Sequence, residues 1–434
     1  MSSGVNTQVV PRWPVRVGLL IDGSEAYGLL TFLRDLLEAL DHRRVQVVGI
    51  FLGSGAAREV LGPLCDEVGE LGTGCFLPFS RPDRGRYDLA NAWTKVGVFG
   101  RALFRIAAAI RRHRLDVVHA NFYPMHLLAG LACRLTGTPC LWHWHGPFVR
   151  GGLGGRLGRV GFAGLADHVV CISRFVQQTL PAAVQVKSTV VYNGVQVERI
   201  ASGQRPGVLR NRAGVRDGQP LVGLFGALAH RKGHEYFIRA AAQVLAVLPE
   251  ARFGIVGGES EICRRRYGLE RQLRGLAAEL GVSDKLHFLG PVEDAPLHMG
   301  DCEVICMPTV PIGDDSGEGF GLTMAEAMAA GVPVIATSCG APPEVIKEGV
   351  SGLLVPPRDS AALAGAILRL LQDDGLRKAM GRAGQRRIAE RFDVAHLARG
   401  MEIVYAECGR PVEGGSGQGL AGGSRISYPG MKRA

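Results

Sequence analysis

Aromatic residues are scarce in this sequence: 16 Phe, 8 Tyr and 4 Trp make up 6% of its 434 residues. Surfaces that stack nucleic-acid bases interleave aromatic rings with basic side chains. No such interleaving occurs here, so no nucleic-acid partner is expected. Cysteine is also sparse, at 10 residues. No two form a Cys-x-x-Cys pair, Cys302 and Cys306 have no nearby His, and Cys140, Cys171, Cys302, Cys306 and Cys339 lie in apolar strand-like runs where a small thiol packs well. This usage fits a reducing compartment and argues against a zinc site. No Asp-x-Asp sequence of the magnesium-chelating sort is found, since Asp314 and Asp315 are adjacent. No metal or other cofactor is expected.

Long hydrophobic runs are missing as well. A bilayer-spanning helix takes about 18 uninterrupted apolar residues, and Arg101, Arg105 and Arg111 break the nearest candidate. The start of the chain, MSSGVNTQVVPRWPVRVGLLIDG, has only a short apolar stretch that runs straight into a glycine-bearing loop. That is not the composition of a cleaved export signal. The expectation is a cytoplasmic protein, peripheral at most at the inner face of the plasma membrane.

What is present is the make-up of a folded protein, 47% hydrophobic and 21% charged. At about 150 residues per domain the length predicts more than one domain. The net charge of +10 is uneven. Residues 1–200 hold 22 Lys and Arg against 14 Asp and Glu, whereas residues 201–434 hold 28 against 26. Much of the excess lies in KVGVFGRALFRIAAAIRRHR, from Lys95 to Arg114, where Val98, Leu103, Ile106 and Ile110 recur at helical spacing. Such a basic amphipathic helix can rest on anionic lipid headgroups. The plainer reading is a core-facing helix with a solvated basic face.

Short apolar runs alternate with helical patterns in two series. The first has strand candidates at 15–21, 45–51, 116–120, 140–145, 168–172 and 189–192; the second has them at 221–227, 252–256, 286–289, 304–307, 332–337 and 352–355. Continuous apolar strands separated by helices imply parallel sheets covered on both faces. The fold class is therefore α/β, with two Rossmann-like doubly wound domains facing a central cleft. The expected division is a first domain over 1–195, a polar linker over 196–220 and a second domain over 221–395. A C-terminal helix over 396–408 is expected to pack back on the first domain, followed by a flexible Gly/Ser-rich tail over 409–434.

Chemistry concentrates in the second half. In Asp315 to Gly331, DSGEGFGLTMAEAMAAG, the glycines allow close backbone approach and the following helix offers unpaired N–H groups to an anion. Glu318 and Glu326 are eight residues apart, about 12 Å along an ideal helix, so they would hold opposite ends of an extended ligand. Thr323 with Glu326 also reads as a capping box, which alone could account for the second glutamate. A second anion-attracting loop is Gly226 to Gly233, GALAHRKG, which places Arg231 and Lys232 at a helix start. Two such loops at strand ends of one domain suit a diphosphate.

These residues resemble the retaining glycosyltransferases of the GT4 class, which have the GT-B fold. The resemblance runs to about Cys408. It rests on the Glu, seven residues, Glu motif at Glu318 and Glu326 within EGFGLTMAEAMAAGVPVIA, followed by GAPPEVIKEGVSGLLVPPRD. Weaker matches are DVVHAN, WHWHG, ADHVVCISRF, VVYNGV and HFLGPV. The resemblance implies a nucleotide sugar as donor substrate and a saccharide or lipid-linked acceptor held by the first domain. Lys232 would neutralise the donor diphosphate, and the backbone of Gly319, Phe320, Gly321 and Leu322 would donate to it or to the sugar. Glu318 would bind hydroxyls of the transferred sugar and Glu326 those of the ribose. His145 is similar to the family's histidine near the reacting sugar; its plainer reading is a strand-end histidine bonded to backbone.

Two departures stand out. Where the family usually has Gly-Gly after the first strand, this chain has Tyr27 and Gly28, so Gly28 alone offers free backbone approach. Where it commonly has Arg after the glycine at Gly226, this chain has Ala227. A noncatalytic carbohydrate-binding protein of the same fold, a nucleotide-sugar epimerase or a glycan phosphorylase stay open as alternatives. A nicotinamide dehydrogenase does not, because no strand ends in Gly-x-Gly-x-x-Gly.

Overall fold

A computed structural model describes residues 13–21, 27–72, 89–121, 123–148, 164–259, 268–313 and 316–409. The apolar runs form two parallel sheets. The first contains β1 (Val15–Ile21), β2 (Val45–Phe51), β3 (Glu67–Glu70), β4 (Val117–Ala120), β5 (Cys140–Trp144), β6 (His168–Cys171) and β7 (Ser188–Val190), in the spatial order β3-β2-β1-β4-β5-β6-β7. The second contains β8 (Leu221–Phe225), β9 (Arg252–Val256), β10 (Leu286–Gly290), β11 (Val304–Met307), β12 (Val334–Thr337) and β13 (Leu353–Val355), in the order β10-β9-β8-β11-β12-β13. Strand order reverses between β1 and β4 and again between β8 and β11. Ligands of open α/β sheets lie beyond the strand ends at such reversals.

Burial explains why these runs pair in parallel. β4, β8 and β11 are buried at every position, as β-strands covered by helices on both faces must be. β3 was not foreseen in the sequence. It is an edge strand, mostly exposed, with acidic residues around a single Gly69, so it carries no apolar run.

The helices that matter for the cleft are α1 (Tyr27–Ala39), α2 (Leu89–Arg112), α3 (Tyr123–Thr136), α4 (Arg174–Thr179) and α5 (Val197–Ser202) before β8. After it come α6 (His234–Leu245), α7 (Leu269–Glu279), α8 (Leu322–Ala329), α9 (Pro342–Val345), α10 (Ser360–Gln372), α11 (Asp374–Arg391) and α12 (Val394–Cys408). In α2, Ile106 and Ile110 are buried, while Arg101, Arg105, Arg111 and Arg112 are exposed. α12 belongs to the core of the first domain: Leu397, Met401, Val404 and Tyr405 pack with Val17, Leu19, Phe32 and Leu36. The Tyr405 hydroxyl lies 2.8 Å from His119 Nδ1 on β4. No described helix is long and apolar enough to cross a membrane. Asp314, Asp315 and residues 410–434 lie outside the described residues.

Candidate active site

Lys232 ends a short helical turn, His230–Lys232, just beyond β8, and Glu318 lies in the loop beyond β11. The two loops therefore flank the strand reversal of the second sheet. They are tied together by backbone, Val310 N–H donating to the Arg231 carbonyl at 2.8 Å. Across this junction Lys232 Nζ donates to Glu318 Oε2 at 2.6 Å, Thr309 Oγ1 donates to the same oxygen at 3.3 Å, and Arg231 Nη1 stands 3.8 Å from it. Burial raises the carboxyl's pKa, but Lys232, then Arg231 and the two hydrogen bonds, outweigh it and hold the group below the usual carboxylate range.

The Glu318 backbone is fixed as firmly as its side chain. It bridges to Gly340, with Glu318 N–H donating to the Cys339 carbonyl at 3.3 Å and Ala341 N–H to the Glu318 carbonyl at 2.8 Å. Gly340 has φ +93°, and a Cβ there would come within 2.3 Å of the Glu318 carbonyl oxygen. Only glycine fits.

Sequence reasoning placed Thr323 as a helix cap, and the structure corrects this. α8 starts at Leu322, after Gly321 at φ 89°, and no side chain caps it. The left-handed glycine admits the chain into the helix early, which leaves Thr323 within the first turn and Glu326 in the middle. Phe320 is buried and its ring lies 5.7 Å from that of Phe392, so only its backbone faces outward chemistry. Leu322 is half-buried.

Glu326 is not beside Lys232. It is half-buried and acted on by charges from α1 and α5. Burial and then the Asp35 carboxylate push it up to about 7, with Arg34 and Arg199 opposing. Gly28 is exposed in the first turn of α1, with open space where a Cβ would be.

His145 follows β5 on the opposite wall. Its Nε2 lies 3.1 Å from the Asn121 side-chain amide at Oδ1, not on backbone. Its ring stacks on His143 at 4.3 Å and meets Phe32 edge-on at 4.8 Å. Burial, with His119 and His126 nearby, pushes its pKa down to about 3, so the imidazole is neutral. The two walls touch here: a Cβ on Gly319 would lie 3.0 Å from the His145 carbonyl oxygen, and Ser173 Oγ donates to the Gly319 carbonyl at 2.7 Å. The fold thus brings together His145, Gly319, Glu318, Lys232 and Arg231.

Asn121, Ser173, Thr309 and Asp35 were missed. Asn121 and Ser173 lie inside segments that matched the family, DVVHAN and ADHVVCISRF, yet nothing in one sequence says which polar residue of a strand end turns into the cleft. Asp35 reaches Glu326 only through the docking of two domains. Among the described residues no group of three or more His, Cys, Asp or Glu side chains is arranged to hold a metal ion.

Family models match both halves of the chain. A model of group 1 glycosyl transferases matches residues 208–387, and one of Glycosyltransferase Family 4 matches residues 27–199. D-inositol 3-phosphate glycosyltransferase of Acidothermus cellulolyticus is 32% identical over 328 residues, covering 71% of this chain and 71% of that protein. The GDP-mannose-dependent alpha-(1-6)-phosphatidylinositol monomannoside mannosyltransferase of Mycolicibacterium smegmatis is 32% identical over 227 residues, 51% of this chain and 57% of the relative. Relatives of this kind are covered over between 48% and 73% of their length. Among solved structures, Anabaena HepE in complex with UDP and glucose superposes with a TM-score of 0.72 at 21% identity, over 91% of this chain and all (100%) of that one. A glycosyltransferase from Rickettsia africae gives 0.74 at 19%, over 92% and 99%. At these identities the likeness is one of fold. Two facing Rossmann-like sheets, two matched family models and a relative of this identity and coverage make the chain a member of the family 4, group 1 glycosyltransferases, with the GT-B fold.

Proposed function

We propose that the protein moves a hexose-type sugar from a nucleoside diphosphate sugar to a saccharide or lipid-linked acceptor, with retention of anomeric configuration, in the assembly of a cell-surface polysaccharide or glycolipid. The observation that carries this reading is the Lys232–Glu318 pair at the reversal of the second sheet. As the sugar departs, negative charge builds on the diphosphate, and preorganised cations at that point stabilise it. The Lys232 ammonium has three N–H donors, so it can serve phosphate oxygens while keeping Glu318 in place. Arg231 stands close enough to share the task. The reading therefore calls on no metal. Glu318, held ionised, accepts from hydroxyls of the transferred sugar, and Glu326 from those of the ribose.

His145, neutral and held through Nε2 by the Asn121 side-chain amide, stands at the reacting sugar. The acceptor attacks from the face that the diphosphate leaves. The names of the relatives, with phosphatidylinositol acceptors among them, support a lipid-linked acceptor. So does α2, whose exposed face carries Arg101 and Arg112 around Phe104 and suits an anionic membrane surface.

The test is incubation with a panel of UDP-, GDP- and other nucleotide sugars, recording which is consumed and which nucleotide is released. Glu318→Ala should abolish turnover without changing the circular dichroism spectrum; turnover equal to wild type would remove Glu318 from the mechanism. A noncatalytic sugar-binding role is the second reading, favoured by Ala227 in place of the family's common Arg. It requires nucleotide-sugar binding without release of nucleotide.

A further inference from the structure

Glu344 belongs to α9, just beyond the Gly340–Ala341 backbone that fixes Glu318. Its carboxylate faces the other domain. Oε1 accepts from the Phe175 N–H at 2.7 Å, and Oε2 accepts from the Arg174 N–H at 3.0 Å and from the Tyr192 hydroxyl at 2.7 Å. All three donors come from the first domain. An acidic residue in the first turn of its own helix can be there for the helix dipole alone, but that does not account for three bonds across the cleft. The segment is braced from behind, where the Arg387 guanidinium donates to the carbonyls of Glu344 and Val345.

The donors are contiguous with the contact already described between the walls. Ser173, next to Arg174, donates to the Gly319 carbonyl, and Gly319 lies against the His145 carbonyl. Residues 173–175 thus hold the donor loop at two places, at Gly319 directly and at Glu344 beyond Gly340. Glu344 accepts three hydrogen bonds where the Gly319 carbonyl accepts one, so the Glu344 end is the firmer of the two.

We propose that Glu344 is a positioning residue for sugar transfer. By gripping residues 174 and 175 and Tyr192, it sets the loop that carries Glu318 and Gly319 at its working distance from His145. It touches neither donor nor acceptor. The proposal rests on the transfer reading above.

Two variants test it in the full-length protein. Glu344→Gln keeps the shape but replaces an acceptor oxygen by a donor facing other donors. Tyr192→Phe removes one hydroxyl and keeps the ring against Phe392, so it serves if the first variant folds poorly. Hydrogen exchange of the ligand-free protein should be several-fold faster in both variants in two separate peptides, 173–180 and 316–322, and unchanged elsewhere in both domains. Faster exchange confined to 173–180 would show a local cap only and overturn the proposal. With the donor that wild type consumes, kcat should fall about tenfold, because small misplacements of reacting groups are costly, while donor KM stays nearly constant. A loss carried by KM with kcat intact would also overturn it. If wild type consumes no nucleotide sugar, the transfer reading falls, and the exchange measurement still decides whether Glu344 couples the two walls.

Discussion

Lys232 Nζ and Glu318 Oε2, 86 residues apart in the chain, meet at 2.6 Å with side chains only 19% and 11% exposed. Removing one partner strands the other in a poorly solvated place. Lys232→Met is expected to cost about 2–4 kcal/mol of stability, whereas Arg231→Met, more exposed and 3.8 Å away, should cost about 1 kcal/mol or less. Urea unfolding of both variants checks this, and equal costs would mean that Lys232 is not the main partner. The pair also has a pH signature. Because the Glu318 carboxyl lies below its usual range, its contribution is present at neutral pH and lost as pH falls through the folded-state value. The gap between wild type and Lys232→Met should narrow below about pH 4.

Glu326 titrates with the opposite sign. Its folded-state value of about 7 lies above the ordinary 4.5, so the stabilising neutral form is full below the ordinary value and is lost as pH rises through 7. Glu326→Gln has nothing to ionise. Its melting temperature should therefore gain on wild type between about pH 5 and pH 8. Burial and then Asp35 cause the rise, against Arg34 and Arg199, and a difference that stays flat over this range would show that burial and Asp35 do not act on Glu326.

The basic face of α2 divides into structural and available residues. Arg105 donates to the Leu71 carbonyl at 2.5 Å and Arg111 to the Leu135 carbonyl at 2.8 Å, so both brace the fold. Arg101 and Arg112 are exposed, and Phe104 is 69% exposed between them. If α2 meets an anionic membrane, Arg101→Glu with Arg112→Glu should lower affinity for phosphatidylserine-containing vesicles more than tenfold, at about 1 kcal/mol per basic residue removed. Phe104→Ser should weaken it further, and vesicles of phosphatidylcholine alone should bind neither form. Unchanged sedimentation of the charge-reversed variant would rule out this face.

Much of this architecture was legible in the sequence because buried parallel strands are written as unbroken apolar runs. Val15–Ile21, Val45–Phe51, Arg252–Val256 and Val304–Met307 coincide with the expected ranges. β3 escaped because an exposed edge strand needs no such run. The loops carrying Glu318 and Lys232 were visible as glycine-flanked charges, but their direct pairing was not, since it depends on how two strand ends converge. Thr323 misled because the cap pattern, Thr followed by Glu three residues on, says nothing of Gly321, whose left-handed backbone starts the helix first. Asp35, Ser173 and Glu344 act across the cleft, and no local pattern encodes a partner on another domain.

The position of Tyr405 against His119 bears on how the molecule is made. On the ribosome, β1 to β7 emerge long before α12, and until that helix arrives the cluster of Val17, Leu19 and Phe32 lacks the part of its cover that Leu397, Met401, Val404 and Tyr405 supply. The half that is translated first is thus finished last, after the other half has had time to fold, and a nascent chain stalled before Val394 carries a partly uncovered apolar face for a chaperone to hold.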